Sequence, residues 1–326
     1  MPMPRLSAAV SVLALVAGSS ALAAPRVAVD VAPVHAIVAA VMEGVGAPDL
    51  ILPPGASPHG YALRPSDAGA LEAADLVVWV GPELTPWMEG TIDALAANAA
   101  RLRLTEADGV RLLPVREGGP FEAHVHDDDH DHDHDHGHDH SHAEDETGGH
   151  DHGLADGHLW LDPLNAAAIA TATAGALAEL DPENAGAYAD NAAAFEAAMA
   201  ALVEEIGGRL EPVRGARFVV FHDAYQYFED RFGLPAAGAI ALSDAVAPGP
   251  QRVAEIRDRI RGEDVVCVFA EPQFEPKLIA TVIEGTPART GTLDPLGSDL
   301  APGPELYGAL LRGLADGLVA CLAPDA

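Results

Sequence analysis

Two stretches of the chain alternate apolar runs typical of buried strands with runs that have helical spacing. The first stretch lies before Phe121, and the second begins after Gly215. Strands that are apolar on both faces and alternate with helices are typical of parallel sheets with helices on both sides. The pattern predicts an α/β protein of two lobes, each with a parallel β-sheet flanked by helices. The strand-like runs are RVAVDVAP (26–33), LILPP (50–54), DLVVWVG (75–81), ARFVVFHD (216–223) and EDVVCVFAEP (263–272), and the helix-like runs are 34–42, 65–74, 224–232, 250–262 and 305–321.

An Ala-rich stretch, residues 181–210, separates the two blocks and has apolar residues at helical spacing. Asp181 can cap a helix here, Pro182 suits its first position, and Gly207 with Gly208 can end it. We therefore expect one long rigid helix of about 37 Å that bridges the lobes. Two shorter helices inside one lobe are the alternative. The expected division is a lobe at 25–180, the linking helix at 181–210 and a second lobe at 211–326.

Residues 1–24 have the parts of a signal peptide, with Arg5 before an apolar run and small residues up to Ala23 or Ala24. The apolar run is shorter than the ~20 residues that cross a bilayer, so we expect export to a periplasm without membrane insertion. A membrane anchor is the alternative. In an exported chain, the pair Cys267 and Cys321 favours a disulfide over two free thiols.

The formal charge of the chain is −32, and the segment from Phe121 to Gly157 has 13 acidic residues and no Lys or Arg. Such acidity repels nucleic acid and attracts cations, so a nucleic-acid partner is not expected. The low-complexity stretch 118–157 has almost no core-forming residue, and we expect it to be a disordered loop.

Eleven of the fifteen histidines lie in this loop, interleaved with aspartates. Neutral imidazole and carboxylate groups suit zinc, and the repeat offers many interchangeable ligand sets. We expect the loop to be an accessory collector or sensor that holds several ions loosely. A purification tag and a charged loop without a metal role are the alternatives. The expected loop ligands are His124, His126, His130, His132, His134, His136, His138, His140, His142, His150 and His152.

Three of the four remaining histidines follow strand-like runs or begin ordered sequence. These are His59, His158 and His222, whereas His35 lies within a helix-like run and is expected to be structural or exposed. In parallel α/β sheets, ligands bind beyond the carboxyl ends of the strands, where such residues would lie. The sequence therefore predicts a metal site made from three imidazoles, although each histidine taken alone could be structural.

One carboxylate would offset the charge of a buried divalent ion and complete a tetrahedron. Asp294 in TLDPLG is the favoured fourth ligand, because it follows a strand-like stretch of the second lobe. Glu271 in FAEP is the competing acid.

Several motifs resemble the periplasmic zinc-binding proteins, the substrate-binding components of high-affinity zinc ABC transporters in the cluster A-I metal class. The resemblance covers nearly the whole mature chain. It implies two α/β lobes bridged by one long helix, with the metal in the cleft between them. The motifs are PGASPHGYALRPSDAGALEAADLVVWVGPELTPWM, HLWLDP, FHDAYQYF, CVFAEPQFEPKL and RTGTLDPLG.

The family's three His ligands fall on His59, His158 and His222 of this chain. Manganese-binding relatives tend to replace one His by a carboxylate, so His222 favours zinc. The family's fourth ligand varies between an Asp matching Asp294, a Glu beside the first His, and water; here Pro58 occupies the position beside His59. The resemblance also implies the Cys267–Cys321 disulfide and a zinc-related loop.

The expected function is therefore that of a monomeric periplasmic receptor. It would capture Zn²⁺ and deliver it to an inner-membrane ABC permease with its ATPase. The alternatives are a soluble zinc buffer without a transporter, a manganese receptor of the same fold, and a zinc hydrolase. An enzyme is not expected, because the chain has no HExxH motif and no carboxylate clearly placed as a general base.

Overall fold

A computed structural model describes residues 24–116, 121, 155–241, 249–273 and 276–323. The expected signal peptide, apart from residue 24, and all eleven loop histidines lie outside the described residues. Within the described ranges, no helix combines the length and apolarity needed to cross a lipid bilayer.

The described residues form two four-stranded sheets, and every strand pair in them is parallel. The first sheet has the order β2-β1-β3-β4 and the second the order β6-β5-β7-β8. This confirms the predicted α/β fold with one parallel sheet in each lobe. The strands are β1 (Val27–Val29), β2 (Asp49–Leu50), β3 (Leu76–Trp79), β4 (Ala100–Arg103), β5 (Phe218–His222), β6 (Gly238–Ala241), β7 (Cys267–Ala270) and β8 (Arg289–Thr292).

Helices connect and cover the sheets, because each parallel pairing requires a crossover connection. They are α1 (Ala32–Val41), α2 (Pro65–Ala73), α3 (Met88–Leu95), α4 (Pro163–Leu180), α5 (Ala185–Leu210), α6 (Gln226–Phe232), α7 (Pro250–Gly262), α8 (Pro276–Ile283) and α9 (Leu306–Leu322). In this architecture the central strands β1, β3, β5 and β7 are almost entirely buried.

Helix α5 is the expected long helix between the two sheets, a single helix of 26 residues. A short 3-10 helix (Pro182–Asn184) precedes it, so the helix begins a few residues later than predicted. Its buried residues recur every three or four positions, which places them on one face. They are Tyr188, Ala192, Phe195, Met199, Leu202, Ile206 and Leu210.

The two lobes share one continuous hydrophobic core, which α5 crosses. This core contains residues of the first sheet such as Val78, residues of α5, and residues of the second sheet such as Phe269. Polar contacts add to it: the Trp160 indole donates to the Pro295 carbonyl (3.0 Å) and the Tyr307 hydroxyl donates to the Trp160 carbonyl (2.6 Å). The lobes are thus packed firmly together around Trp160.

A disulfide joins Cys267 in β7 to Cys321 in α9, as predicted. Both cysteines are buried. The bond fastens the last helix to a central strand of the second sheet, 54 residues away along the chain.

We expect the double variant C267A/C321A to lose about 2–4 kcal/mol of unfolding free energy, because the open chain gains conformational entropy when unfolded. Urea unfolding followed by circular dichroism measures this loss. Reductant should lower the stability of the wild type to that of the variant and leave the variant unchanged. Equal stabilities of oxidised wild type and variant would contradict the expectation.

Candidate metal centre

Three histidines reach one point from three parts of the fold. His59 lies in the loop between β2 and α2, and His222 is the last residue of β5. His158 immediately precedes a short 3-10 helix that leads into α4. One ligand nitrogen from each of these residues lies within 4.8 Å of the other two. The structure therefore brings together the three histidines that the sequence singled out.

The spacing within this tri-imidazole group is that of ligands to one small cation. Nε2 of His158 lies 3.3 Å from Nε2 of His222. Two nitrogens bound to one tetrahedral zinc ion, each at about 2.0–2.1 Å, are about 3.3 Å apart. The centroid of the His59 ring lies 5.5 Å from that of His158 and 6.1 Å from that of His222, so the third ring lies beside the other two.

Two buried carboxylates set the tautomers of the group. Nδ1 of His158 is 2.8 Å from Oδ1 of Asp156, and Nδ1 of His222 is 2.7 Å from Oε1 of Glu271. A carboxylate only accepts, so each Nδ1 carries the proton and each Nε2 presents a lone pair. Two lone pairs that face each other at 3.3 Å repel unless a cation or a proton lies between them. The arrangement fits a divalent cation.

The group lies in buried and tightly packed surroundings. His158 and His222 are only 7% and 2% exposed. A space of about 10 Å³ lies against the three rings, bounded by Pro58, Pro295 and Leu296 among others, which is room for about one ion or water. Burial lowers the pKa of His59 well below its usual value, and the nearby His158 and His222 lower it further. His59 is thus held in the neutral form that binds metals.

The loop that carries His59 is anchored by an aromatic pair. The Trp87 indole donates to the carbonyl of Pro58 (2.8 Å), and the ring of Tyr61 packs against Trp87 at 5.7 Å. The Tyr61 hydroxyl donates to Asp67 in the first turn of α2 (2.7 Å). These contacts fix the position of His59 although its loop has no regular secondary structure.

Asp294, the expected fourth ligand, lies outside the tri-imidazole group. Its carboxylate accepts hydrogen bonds from the backbone N–H groups of Leu296, Gly297 and Ser298, at 2.6–3.0 Å. Asp side chains often stabilise such turns, and Gly297 supplies the positive φ of 67° that the turn needs. In this conformation the Asp294 carboxylate closes a turn, and its assignment as the fourth ligand stays a prediction.

Glu271, the competing acid, contacts the group indirectly. It is 2% exposed, and besides His222 it accepts from the side-chain amide of Gln273 (2.9 Å). Sequence reasoning missed the matching role of Asp156, which lies two residues before His158 at the end of the acidic loop. The D-x-H spacing was the available signal. His35 is buried, and its Nε2 lies 3.1 Å from the Pro48 carbonyl, so it is structural as expected.

Residues 27–321 match the family model ZnuA, described as zinc-uptake complex component A, periplasmic. The chain belongs to this family. It is 50% identical over 313 residues to the high-affinity zinc uptake system protein ZnuA of Brucella abortus (strain 2308), covering 93% of this chain and 94% of that protein. The protein of the same name from Paracoccus denitrificans is 46% identical over 319 residues, covering 96% and 98%.

Solved structures share the two-lobed architecture. A crystal structure of ZnuA aligns with a TM-score of 0.73 at 24% identity, covering 92% of this chain and 99% of that chain. A zinc-bound ZnuA deletion mutant lacking 138–173 in its own numbering aligns with a TM-score of 0.70 at 24% identity, covering 93% and 100%. These likenesses confirm the fold. The family is that of an uptake component, so the hydrolase alternative is set aside.

We expect the variant E271Q to lower affinity for Zn²⁺ about tenfold, because a neutral amide polarises the His222 imidazole less than a carboxylate does. E271A should lower it about 100-fold, because the hydrogen bond is lost as well. Titration against a competing chelator measures both values.

The matched control is E255Q, which neutralises a 52% exposed carboxylate on α7 and should bind like the wild type. An E271A variant that folds and binds zinc with wild-type affinity would contradict a role of Glu271 in orienting His222.

Proposed function

We propose that this chain is the periplasmic receptor of a high-affinity zinc uptake system, with His59, His158 and His222 as ligands of the captured ion. The observation that carries the proposal is the convergence of these three imidazoles, two of them held by carboxylates, in a chain of the zinc-uptake family. Residues 1–24 would direct export. The receptor would act as a monomer and deliver the ion to an inner-membrane ABC permease driven by its ATPase.

The donor set favours zinc over manganese. Three imidazole nitrogens suit Zn²⁺, whereas Mn²⁺ prefers carboxylate, carbonyl and water oxygens. The Nε2–Nε2 distance of 3.3 Å also fits the short bonds of a tetrahedral zinc ion. A manganese receptor of the same fold would be expected to offer more oxygen ligands at this point.

The His-rich segment would collect zinc near the receptor. Its eleven imidazoles lie between residues 121 and 155, which are the nearest described residues before and after them. An isolated antiparallel bridge between Pro114 and Ala155 holds the two flanks together beside the tri-imidazole group. Zinc bound by the segment would therefore be concentrated close to the high-affinity site.

The test is a zinc titration with a competing chelator on the wild type and on H222A. We expect H222A to lose the tightest site, because two imidazoles cannot hold the ion against the chelator, and to keep the weaker sites of the His-rich segment. A variant in which a short Gly/Ser linker replaces 122–154 should show the reverse, with one tight site and few weak ones. That replacement leaves Asp156 in place.

H35Q is the matched control, because an amide can still donate to the Pro48 carbonyl and His35 lies away from the group. It should retain the tight site. A linker variant that folds but has no tight site, or an H222A variant that keeps it, would overturn the proposed ligand set.

The fourth position of the ion would be taken by water in this conformation. Asp294 is not among the converging side chains, and its carboxylate accepts three backbone hydrogen bonds in its own turn. We expect D294A to lower the unfolding free energy by about 1–3 kcal/mol and to leave zinc affinity nearly unchanged. Urea unfolding and chelator competition check the two values, and a loss of affinity of about tenfold or more would show that Asp294 is a ligand after all.

The two kinds of site should respond differently to acid. Protons compete with zinc only when the pH approaches the pKa of the ligand imidazole, and burial has lowered the pKa of His59. Imidazoles of ordinary pKa, about 6.5, should lose zinc first. Between about pH 7.5 and pH 5.5, the weak stoichiometry of the wild type should therefore fall while the tight site remains occupied. Equilibrium dialysis measures this, and simultaneous loss of both would contradict it.

A further inference from the structure

Tyr227 reaches from the second lobe into the first. It is part of α6 and is only 1% exposed. Its hydroxyl accepts a hydrogen bond from the backbone N–H of Leu113 (2.9 Å) and donates one to the carbonyl of Asp156 (3.0 Å). A phenol hydroxyl has a single proton, so these two bonds fix both the ring and the direction of its O–H group. Burial raises the pKa of Tyr227, so the hydroxyl remains a donor at neutral pH.

Asp156, the acceptor of this bond, is the residue that holds His158. Oδ1 of Asp156 accepts from the backbone N–H of His158 (2.9 Å) and lies 2.8 Å from Nδ1 of its ring. The backbone N–H of Asp156 in turn donates to the carbonyl of Leu113 (2.8 Å). Tyr227 thus contacts both Asp156 and the neighbour that Asp156 is bonded to. A shift of Asp156 would move the His158 ring that depends on it.

The chain between Asp156 and His158 is packed closely against the first lobe. A Cβ atom at Gly157 would lie 2.9 Å from Cβ of Leu84 and 3.1 Å from its backbone nitrogen. The first distance is shorter than nonbonded carbon atoms approach in proteins, so only glycine fits here without a shift. The stretch 156–158 therefore lies against Leu84 of the first lobe while Tyr227 of the second lobe holds its first residue.

One short part of the chain thus carries a ligand and the residue that places another ligand. His222 ends β5, and Tyr227 lies in α6, the helix that follows. Tyr227 fixes Asp156, and Asp156 fixes His158. The distance of 3.3 Å between Nε2 of His158 and Nε2 of His222 is therefore set within one connected unit. Donors fixed in this way before binding lose little entropy when the ion binds.

We propose that Tyr227 is a positioning residue for zinc capture, which acts from the second lobe through Asp156 to hold His158 in place beside His222. The inference rests on the proposed function and adds to it a residue that contacts neither the ion nor a ligand. Without the Tyr227 hydroxyl, Asp156 and His158 gain freedom, so the ion leaves sooner and the affinity falls.

The test measures the zinc affinity of the tri-imidazole group in the full chain by competition with a chelator, and tryptophan fluorescence is the signal. The Trp160 ring lies 5.4 Å from that of His158, and the Trp87 indole donates to the carbonyl of Pro58, beside His59. Residues 117–154 contain no Trp, so the signal reports on the tri-imidazole group and not on the His-rich segment.

The main variant is Y227F, which removes the hydroxyl and keeps the ring. We expect it to weaken zinc affinity about threefold to tenfold, mainly through a faster off-rate, because two hydrogen bonds that fix Asp156 and Leu113 are lost. The matched control is Y188F, since Tyr188 is also fully buried and its hydroxyl donates to Asp181 (2.9 Å) at the end of α4. Urea unfolding should show both variants to be less stable than the wild type, but Y188F should keep the wild-type affinity.

A double-mutant cycle with D156A separates positioning from a general loss of stability. Since Tyr227 acts through Asp156, its hydroxyl should no longer matter once the carboxylate is gone, and Y227F should change the affinity of D156A by less than about twofold. Imidazole ¹⁵N NMR of the zinc-free proteins gives a second readout. The Nδ1–H tautomer of His158 should dominate in the wild type and in Y188F, and should be mixed with the other tautomer in Y227F.

The variant G157A perturbs the same stretch without a change at Tyr227, so it keeps the test decisive even where Y227F does not fold. Its added methyl group presses on Leu84 and displaces the chain between Asp156 and His158. We expect zinc affinity to fall by about threefold or more, because the packing leaves no space for the group.

Wild-type affinity in Y227F would overturn the inference, as would an equal loss of affinity from Y227F with and without the Asp156 carboxylate. Wild-type affinity in G157A would overturn it as well, since the position of the stretch 156–158 would then not matter. Absence of a tight site in the wild type would instead overturn the proposed function, and titration of the wild type reveals that failure before any variant is compared.

Discussion

The hydrogen bonds that His158 donates to Asp156 and that His222 donates to Glu271 are the constraint on which the rest of the centre depends. Each carboxylate holds the ring by Nδ1 and so turns the Nε2 lone pair inward. Without these partners either ring could rotate or take the other tautomer, and the lone pairs would no longer face one point. Capture of a cation therefore relieves a repulsion that the fold has already built.

That constraint works only because the parts of the fold that carry it are held together. Helix α6 of the second lobe lies against the chain on both sides of His158. The Tyr227 hydroxyl donates to the Asp156 carbonyl (3.0 Å), and Arg231 forms two hydrogen bonds with Asp162, at 2.6 and 2.7 Å. His158 is thus positioned by the second lobe although it precedes α4. A donor set fixed in advance loses little entropy when it binds, which favours high affinity.

Much of this architecture can be read from the sequence, and the exceptions have physical causes. The strands within the runs of 75–81 and 216–223, β3 and β5, are buried throughout, so their apolar pattern is continuous. The edge strands β4 and β6 were missed: β4 contains two arginines, which interrupt its apolar pattern, and β6 is a run of four residues that begins with a glycine. Helices α3, α4 and α8 were missed as well.

At the site, the convergence of three histidines was predictable from strand ends and from the family resemblance, whereas the roles of the carboxylates were not. Asp156, Glu271 and Asp294 are all acids beside the cleft, and sequence alone does not say which one faces a ring, an ion or a backbone N–H group. The difference depends on local turn geometry: the DPLGS turn takes up the Asp294 carboxylate, while the chain at Asp156 bends back onto its own histidine two residues later.

The bridge between Pro114 and Ala155 has a consequence for how such chains can diversify. It joins the two flanks of the His-rich segment by a backbone bridge. The packing of the lobes therefore does not depend on how many residues lie between these flanks. The entropic cost of closing a loop increases only slowly with its length, by about 0.6 kcal/mol of free energy for each doubling. The length of the segment between the two flanks can therefore change independently of the geometry of the tri-imidazole group.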